Sequence, residues 1–288
     1  MLDCRAEHDR HVSQDTIRRK KDGSLVPVFV SAAPITVEGR FLGYVAVYKD
    51  ISELKNTEKK LEIMNEKLRV TGGLTRHDVR NKLSAVTGNV YLLKKQLAHS
   101  SEFLDKLSDI ENAVQQTIRI FDFAKIYEML GVEELSYVDV AKTFDEAVSL
   151  FSGSINVKVV NECHGLAVLA DPLLRQLFYN LIDNSLKYGQ KTTRIRVHYE
   201  ETGKDHLRLV YEDDGVGIPA AEKPKLFKEG YSTGGSTGYG LHLVSKMVEV
   251  YGWKIQETGT PERGAQFTMT IPKINRDGKE SLRLSRVQ

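Results

Sequence analysis

The order of apolar and polar residues divides the chain into a β-rich beginning, a long helical middle and a mixed end. Between residues 24 and 50, two stretches rich in Val, Phe and Tyr flank a glycine-containing turn, and an Asp-Gly pair precedes them. This pattern predicts a small antiparallel sheet of three short strands. Helical and strand periods alternate after residue 138, which predicts helices on one face of a mixed sheet. The predicted fold class is therefore α+β with several domains.

A heptad-like stripe marks the start of the helical middle. Leu54, Leu61 and Leu68 are seven residues apart, with charged residues between them. The spacing predicts a dimeric coiled coil, and a monomeric amphipathic helix is the alternative. Glycines in the segment 71–73 predict a bend, because glycine is poor in a helix interior.

Two further apolar stripes follow at steps of three and four residues. The first runs from Val79 to Leu97 and the second from Leu104 to Ala124. A short connector between them predicts an antiparallel helical hairpin. One hairpin cannot bury both of its stripes, so we expect two copies to pair as a dimeric four-helix bundle, which makes the protein a homodimer.

Charge and composition narrow the classes of partner. The chain has 288 residues with 41 Lys and Arg against 39 Asp and Glu, so its bulk charge does not indicate a nucleic-acid partner. Cys4 and Cys163 lie far apart without a metal-ligand spacing, which favours reduced thiols in a cytosolic protein. We see no apolar run of membrane-spanning length and no signal peptide. The prediction is a cytoplasmic chain without direct membrane contact, with the soluble part of a longer membrane-anchored receptor as the alternative.

The carboxy-terminal part contains three elements suited to a nucleotide. In "NLIDNSLKYG", one predicted helix face carries Asn180, Asn184 and Lys187, and Tyr188 lies beside it. This polar face either lines a pocket or is exposed to solvent. In "EDDGVGIP", a carboxylate can accept a hydrogen bond from an exocyclic amine, and glycines let the backbone approach a flat ring.

The third element is the glycine-rich run "STGGSTGYGLHL", which contains Gly234, Gly235, Gly238 and Gly240 just before a helix. Backbone amides at such a helix start bind phosphates. The spacing is neither that of a Walker loop nor that of a dinucleotide fingerprint. Each element alone is weak evidence, but the three in this order indicate a nucleotide site.

These segments together resemble the sensor histidine kinases of two-component signalling. "NLIDNSLKYG" is similar to that family's N box, "DDGVGI" to its first glycine box, "KLFKEGYST" to its phenylalanine box and "GYGLHL" to its second glycine box. "RHDVRNKL" resembles the H box, and the residues up to "YKDISE" resemble the last strands of a PAS sensor domain. The resemblance implies a Bergerat-type α/β sandwich that binds ATP.

The resemblance also implies a division into domains. Residues 1–53 would be the end of a PAS-like sensor, 54–73 a signalling helix, and 74–130 the dimerisation and histidine phosphotransfer domain. A linker at 131–137 would lead to the catalytic ATP-binding domain at 138–274. Residues 275–288 are predicted to be a loosely ordered basic tail.

The family's nucleotide contacts carry over to matching positions of this chain. Asn184 is expected to coordinate Mg²⁺ with Asn180 assisting, and Lys187 to neutralise phosphate charge. Asp213 is expected to bind the adenine amine. Further contacts with ATP are expected from Tyr188, Gly215, Gly217, Gly238, Gly240 and Thr268. Residues 220–237 would form a mobile lid packed by Phe227.

His77 is the expected phosphate acceptor. It lies outside the apolar stripe that starts at Val79, so we expect an exposed ring, nucleophilic when neutral. Asp78 can hydrogen-bond the other ring nitrogen, and the resemblance implies that Asn81 orients water for dephosphorylating the partner. A solvated helix face is the simpler interpretation of all three. The H box has His-Asp where His-Glu is more usual.

The predicted function is that of a sensor histidine kinase. It would use ATP and Mg²⁺ to phosphorylate His77 and pass the phosphoryl group to an aspartate of a response regulator, with a possible phosphatase activity toward that regulator. The alternatives are a serine kinase or ATPase on the same nucleotide-binding fold, and a non-catalytic signalling scaffold.

Overall fold

A computed structural model describes residues 12–97, 101–151, 156–203, 205–232, 237–274 and 280–284. Cys4, Gly234, Gly235 and most of the connector after residue 97 lie outside the described residues. The chain forms two compact units, residues 1–75 and 76–288. Among the described helices, none is both long and apolar enough to cross a membrane.

The first unit contains the predicted three-stranded antiparallel sheet. Its strands are β1 (Val12–Arg19), β2 (Leu25–Val37) and β3 (Arg40–Asp50), in the order β1-β2-β3. Gly23 adopts a φ of 86° in the first turn, where the Asp22 carboxylate accepts a hydrogen bond from the Ser24 amide at 2.9 Å. The sheet is confirmed, and its assignment as part of a PAS domain stays a prediction.

Helix α1 runs from Ser52 to Gln96 as one continuous element. The helix passes through residues 71–73 without interruption, and the bend predicted there stays a prediction. A glycine in a helix interior costs about 1 kcal/mol relative to alanine but still makes its backbone hydrogen bonds, so the long flanking segments can carry the helix through. The stripe residues Leu54, Leu61 and Leu68 are exposed, and their pairing as a coiled coil stays a prediction.

Helix α2 (Ser101–Met129) packs antiparallel to the second half of α1, as predicted. Three ion pairs run from the far end of the hairpin toward its connector: Arg76–Glu128 at 2.5 Å, Arg80–Asp122 at 2.6 Å and Lys94–Glu111 at 2.5 Å. Val90 of α1 and Leu107 and Val114 of α2 are buried between the helices' apolar stripes. Pairing of two hairpins stays a prediction.

The carboxy-terminal part has the predicted mixture of helices and strands. Its helices are α3 (Val140–Ser149), α4 (Leu174–Tyr188) and α5 (Gly240–Val250), and its strands are β4 (Ser136–Asp139), β5 (Lys158–Glu162), β6 (Leu166–Ala170), β7 (Arg194–Thr202), β8 (His206–Asp213), β9 (Lys254–Glu257), β10 (Gln266–Pro272) and β11 (Leu282–Leu284). The main sheet has the order β5-β7-β8-β10-β9, in which β5 and β7 are parallel and the other neighbours antiparallel. The prediction of a mixed sheet is confirmed.

The core of this part lies between the helices and the main sheet. Leu177, Leu181 and Ile182 on one face of α4 are fully buried, as are Leu209 and Met269 on the sheet. Asp171 lies at the start of α4, and its Oδ1 accepts a hydrogen bond from the Leu173 amide at 2.9 Å. This packing leaves the opposite, polar side of α4 to line a cavity.

Two segments predicted to lack regular structure form strands. Ser136 and Tyr137, placed in the linker, belong to β4, and Leu282–Leu284 of the expected tail pair antiparallel with β6. Leu282 is buried, and the Arg283 guanidinium carbon lies 3.8 Å from the centroid of the Tyr137 ring. The prediction of a loosely ordered tail is wrong for residues 282–284, because the Leu282 side chain is buried and the backbone pairs with the edge of β6.

Candidate functional site

A cavity of about 620 Å³ opens between the end of α4 and the loops that follow β8. Most of the sequence-predicted nucleotide residues line it: Asn184, Lys187, Tyr188, Asp213, Gly217, Gly238 and Gly240. Gly189, Pro219, Glu222, Leu226, Pro261, Ala265 and Phe267 complete much of the remaining wall. Asn180, Gly215 and Thr268 do not line the cavity.

Asp213 is held at the end of β8 by hydrogen bonds to both carboxylate oxygens. Its Oδ1 accepts from the amides of Gly215 at 2.9 Å and Ala265 at 3.1 Å. Its Oδ2 accepts from the Ser185 hydroxyl at 2.5 Å. A carboxylate oriented in this way at a cavity wall is a fixed acceptor for an amino group of a ligand.

Ser185 and Tyr211 form a buried relay behind Asp213. The Ser185 Oγ lies 2.9 Å from the Tyr211 hydroxyl, and because Ser185 donates to Asp213, Tyr211 donates to Ser185. Burial raises the pKa of Tyr211 well above its ordinary value, so the phenol keeps its proton. Sequence reasoning missed Ser185, whose only signal was its place one residue after Asn184 in the polar helix segment.

Asp214 faces away from the cavity. It accepts hydrogen bonds from the Thr193 amide at 2.7 Å, the Thr193 hydroxyl at 2.5 Å and the Arg194 amide at 2.8 Å. Partial burial pushes the pKa of Asp214 upward, but these bonds outweigh burial and the pKa lies below its ordinary value. Asp214 thus anchors the start of β7, and of the two acids only Asp213 reaches the cavity.

Gly215 and Gly217 allow a close approach of three backbone segments. A Cβ on Gly215 would lie 2.7 Å from the Cα of Gly189. Gly217 has a φ of 69°, and a Cβ there would lie 2.8 Å from the carbonyl oxygen of Thr260. Gly217 lines the cavity as predicted, whereas Gly215 acts from behind its wall by touching the end of α4.

The other end of the cavity suits phosphates. Gly238, with a φ of 71°, lines it just before α5, and Gly240 is the first residue of that helix. The Nδ2 atoms of Asn180 and Asn184 are buried with no hydrogen-bond partner among the described residues. Lys187 forms an ion pair with Asp183 one turn away, so its cation is positioned by that carboxylate.

The side chains present fit a nucleotide with magnesium. The Asn184 amide, whose Nδ2 is unpaired, would present its oxygen, a hard ligand of the kind that Mg²⁺ prefers, if the amide were turned toward the ion, and a helix start offers amides to phosphates. Asn184 reaches the cavity directly. Asn180 lies one turn earlier, where its Oδ1 accepts from Gln176 Nε2 at 3.2 Å. Asn180 does not line the cavity, and its assistance to Asn184 stays a prediction.

The described part of the predicted lid is attached to the core by Phe227. Its ring packs edge-on against Phe267 with centroids 6.4 Å apart. The Phe227 carbonyl oxygen lies 3.0 Å from His242 Nδ1, which must carry the proton because the oxygen can only accept. The predicted packing of Phe227 is confirmed. Residues 233–236 of the lid lie outside the described residues.

Thr268 does not fit its predicted role. Successive side chains of a strand point to opposite faces, and in β10 the buried face carries Phe267 and Met269. Thr268 therefore lies on the other face, where its hydroxyl hydrogen-bonds that of Thr258 at 2.8 Å. A threonine there supports the strand pair β9–β10 and does not contact the cavity.

His77 is exposed on α1, as the stripe predicted, with 72% of its side chain accessible. The Asp78 Oδ1 lies 3.4 Å from His77 Nδ1, and the Asn81 Nδ2 lies 3.4 Å from the same nitrogen. Both contacts are made at Nδ1. On either side in sequence, Arg76 and Arg80 are held by their ion pairs with α2.

The fold and the cavity are those of a nucleotide-binding α/β domain, and comparison with known proteins shows what this domain is similar to. Residues 170–275 match the family described as histidine kinase-, DNA gyrase B- and HSP90-like ATPases. A crystal structure of full-length ShkA in complex with AMPPNP has the same fold, with a TM-score of 0.54 at 19% identity over 75% of this chain and 47% of that one.

The curated relatives are named as sensor proteins or as a histidine-protein kinase. The chain is 23% identical over 297 residues to the signal transduction histidine-protein kinase AtoS of Escherichia coli (strain K12), covering 98% of this chain and 48% of the relative. It is 29% identical over 253 residues to the sensor protein CitS of Halalkalibacterium halodurans, covering 85% and 44%. It is 27% identical over 232 residues to the sensor protein GacS of Pseudomonas syringae pv. syringae, covering 72% and 25%.

Residues 170–275 thus match this ATPase family, and the chain as a whole is similar to proteins named as sensors and histidine kinases. It spans between a quarter and about half of the length of these three relatives.

Proposed function

We propose that the chain is an ATP-dependent protein-histidine kinase that phosphorylates His77 and donates the phosphoryl group to an aspartate of a response regulator. The observation that carries the proposal is the buried acceptor Asp213, aimed into a nucleotide-sized cavity of a chain that also presents an exposed histidine beside an acid. Neither feature alone separates this reaction from simple ATP hydrolysis.

Asp213 would orient the nucleotide. Its carboxylate accepts a hydrogen bond from the adenine amine, and the ring lies along the wall that Gly217 provides. The phosphates then extend toward Gly238, Gly240 and Lys187, and Tyr188 borders the nucleotide. Asn184, with Asn180 assisting, would hold Mg²⁺, which supplies charge neutralisation on the phosphates when bound.

The imidazole of His77 would be the nucleophile. A proton on Nδ1 directed at Asp78 leaves the electron pair on Nε2 free to attack the γ-phosphorus. The N–P bond forms as the bond from the γ-phosphorus to the β,γ-bridging oxygen breaks, and ADP leaves with that electron pair. Asp78 stabilises the positive charge that develops on the ring, as the acid of a catalytic triad does.

The helical hairpin would dimerise and receive the regulator. Val86 and Leu93 of α1 and Ile110 and Ile120 of α2 are exposed although they belong to or border the apolar stripes. A second hairpin would bury such side chains in a four-helix bundle. The response regulator would approach the exposed turn of α1 around His77, where Asn81 would orient water for removing the phosphoryl group from that regulator.

The sensor part of the proposal rests on resemblance and on the observed sheet. Residues 12–50 form three antiparallel strands before α1, an arrangement that agrees with the end of a PAS-like domain. We propose that the protein acts in the cytoplasm, by itself or as part of a longer membrane-anchored receptor.

A labelling experiment tests the function. We expect the chain to incorporate label from γ-labelled ATP and Mg²⁺, and we expect the label to be lost in acid and kept in base, as a phosphoramidate requires. His77→Gln should abolish incorporation, whereas His164→Gln, a change at another exposed histidine, should leave it intact. Acid-stable label would instead indicate a serine kinase, and ADP release without label an ATPase.

A further inference from the structure

Lys223 lies at the root of the lid and has two acceptors. It begins the short 3-10 helix Lys223–Lys225, and its side chain is 23% exposed. The Nζ lies 2.6 Å from the Glu257 Oε2 and donates a hydrogen bond to the carbonyl oxygen of Gly259 at 2.5 Å.

Glu257 is an unusual partner because its side chain is only 1% exposed. Its Oε1 accepts from the amides of Gly259 at 3.0 Å and Gln266 at 3.2 Å. Its Oε2 is held by the charge of Lys223 rather than by a well-aligned hydrogen bond. A carboxylate this deeply buried is costly to leave without its counter-charge.

The pair joins two walls of the nucleotide cavity. Lys223 belongs to the segment that contributes Glu222 and Leu226 to the lining, and Glu257 ends the strand before the loop that contributes Pro261 and Ala265. Neither Lys223 nor Glu257 itself lines the cavity.

The loop after Glu257 also contacts the segment 213–217, which shapes the base end of the cavity. The Glu262 amide donates to the carbonyl oxygen of Val216 at 2.7 Å, and the Ala265 amide donates to Asp213 at 3.1 Å. A shift of this loop would therefore move a hydrogen-bond donor of Asp213 and the backbone beside Gly217 together.

We propose that Lys223 is a positioning residue that sets the width of the base-binding end of the cavity and so its preference for adenine. The inference rests on the proposed nucleotide function and deepens it. The Lys223 ammonium binds the Glu257 carboxylate and the carbonyl oxygen of Gly259. It thereby holds the loop 258–265 against the segment that begins at Lys223. Without that cation the loop retreats, water reaches Glu257, and the cavity accepts bases of other shapes more readily.

Nucleotide binding to three variants of the full chain tests this role. Lys223→Met keeps the aliphatic stem and removes the charge, Lys223→Arg keeps the charge, and Lys225→Met is the matched control at an exposed position of the same 3-10 helix. Dissociation constants for ADP and GDP would be measured by calorimetry. We expect Lys223→Met to weaken ADP by roughly tenfold and to reduce the ADP-to-GDP preference, with Lys223→Arg close to wild type.

Hydrogen exchange supplies a second readout that does not depend on affinity. The amides of Glu262 and Ala265 should exchange faster in Lys223→Met, whereas those of α4 should not change. The inference is overturned if Lys223→Met matches Lys225→Met in its ADP-to-GDP ratio, or if exchange in the loop is unchanged. Failure of the wild type to bind ADP at all would instead overturn the proposed function.

Discussion

The rings of Phe123 and Tyr239 stack with their centroids 4.5 Å apart and their planes inclined by 23°. Phe123 belongs to α2 of the helical hairpin, and Tyr239 stands between the two glycines that line the phosphate end of the cavity. The His242 ring lies 6.3 Å from Phe123 in the same cluster. The hairpin and the start of α5 therefore share an aromatic contact, and we expect a displacement of one to change the packing of the other.

Removing the Phe123 ring should weaken this contact. We expect Phe123→Ala to lower the free energy of unfolding by about 1–3 kcal/mol, because a partly buried ring loses packing and leaves a gap. A double-mutant cycle with Tyr239→Leu, measured by urea denaturation, should show a coupling of about 0.5–1.5 kcal/mol. Gln115→Ala, a change at an exposed polar position of α2, is the control, and additive effects of the first pair would refute the coupling.

Ser185→Ala should impair nucleotide binding, because Ser185 holds the Asp213 carboxylate in place. The substitution removes a donor to Asp213 and leaves the buried Tyr211 hydroxyl without its acceptor, at a cost of about 1–3 kcal/mol. We expect ADP affinity to fall by roughly tenfold or more, measured by calorimetry. Ser136→Ala, at an exposed strand position, should bind as the wild type does; equal affinity of both variants would show that the relay is dispensable.

Gly215→Ala should abolish the site through backbone crowding. Its Cβ would meet the Cα of Gly189 at 2.7 Å, and neither backbone can move without disturbing Asp213. We expect no measurable ADP binding at concentrations that saturate the wild type. Gly88→Ala is the matched control, because no atom lies within 4 Å of its Cβ position. It should keep binding and stabilise α1 by up to about 1 kcal/mol.

Cys163 should make stability depend on alkaline pH. Burial, followed by the charges of Glu162 and Asp139, raises the pKa of this thiol from 9.0 to about 12. Since the folded pKa lies above the unfolded one, the contribution of the thiol is complete below the unfolded pKa and is lost as pH rises toward the folded pKa. The gap in unfolding free energy between wild type and Cys163→Ala should therefore shrink between about pH 9 and 12, as urea denaturation would show. A constant gap would contradict this.

Local sequence patterns predicted most of the helices and strands, but they did not predict the contacts between residues that are distant in sequence. The apolar face of α4, the glycine positions before α5 and the acid at the end of β8 follow from spacing, since each lies within one element. Ser185 does not, because its importance comes from Tyr211 and Asp213, which are distant in sequence. For Thr268 the residue type suggested a ligand contact. Its side chain points to the face of β10 opposite Phe267, and this placement excludes the contact.

The strands that the sequence did not predict share a cause. Ser136, Tyr137 and Leu282 lie in short polar surroundings with little strand signal of their own, and they become strands because β6 offers an edge on each side. Propensity summed over a few residues cannot represent a partner strand that lies far along the chain: Ser136 pairs with Ala170, and Leu282 pairs with Val168.

Pairing of β11 with β6 also bears on how the protein behaves when shortened. A chain cut before residue 280 would leave β6 with a row of unpaired amides and carbonyls beside Leu166 and Val168, which are now buried. Open strands of this kind seed edge-to-edge association between molecules. We expect such a fragment to aggregate even though residues 170–275 contain the whole stretch recognised as the ATPase family.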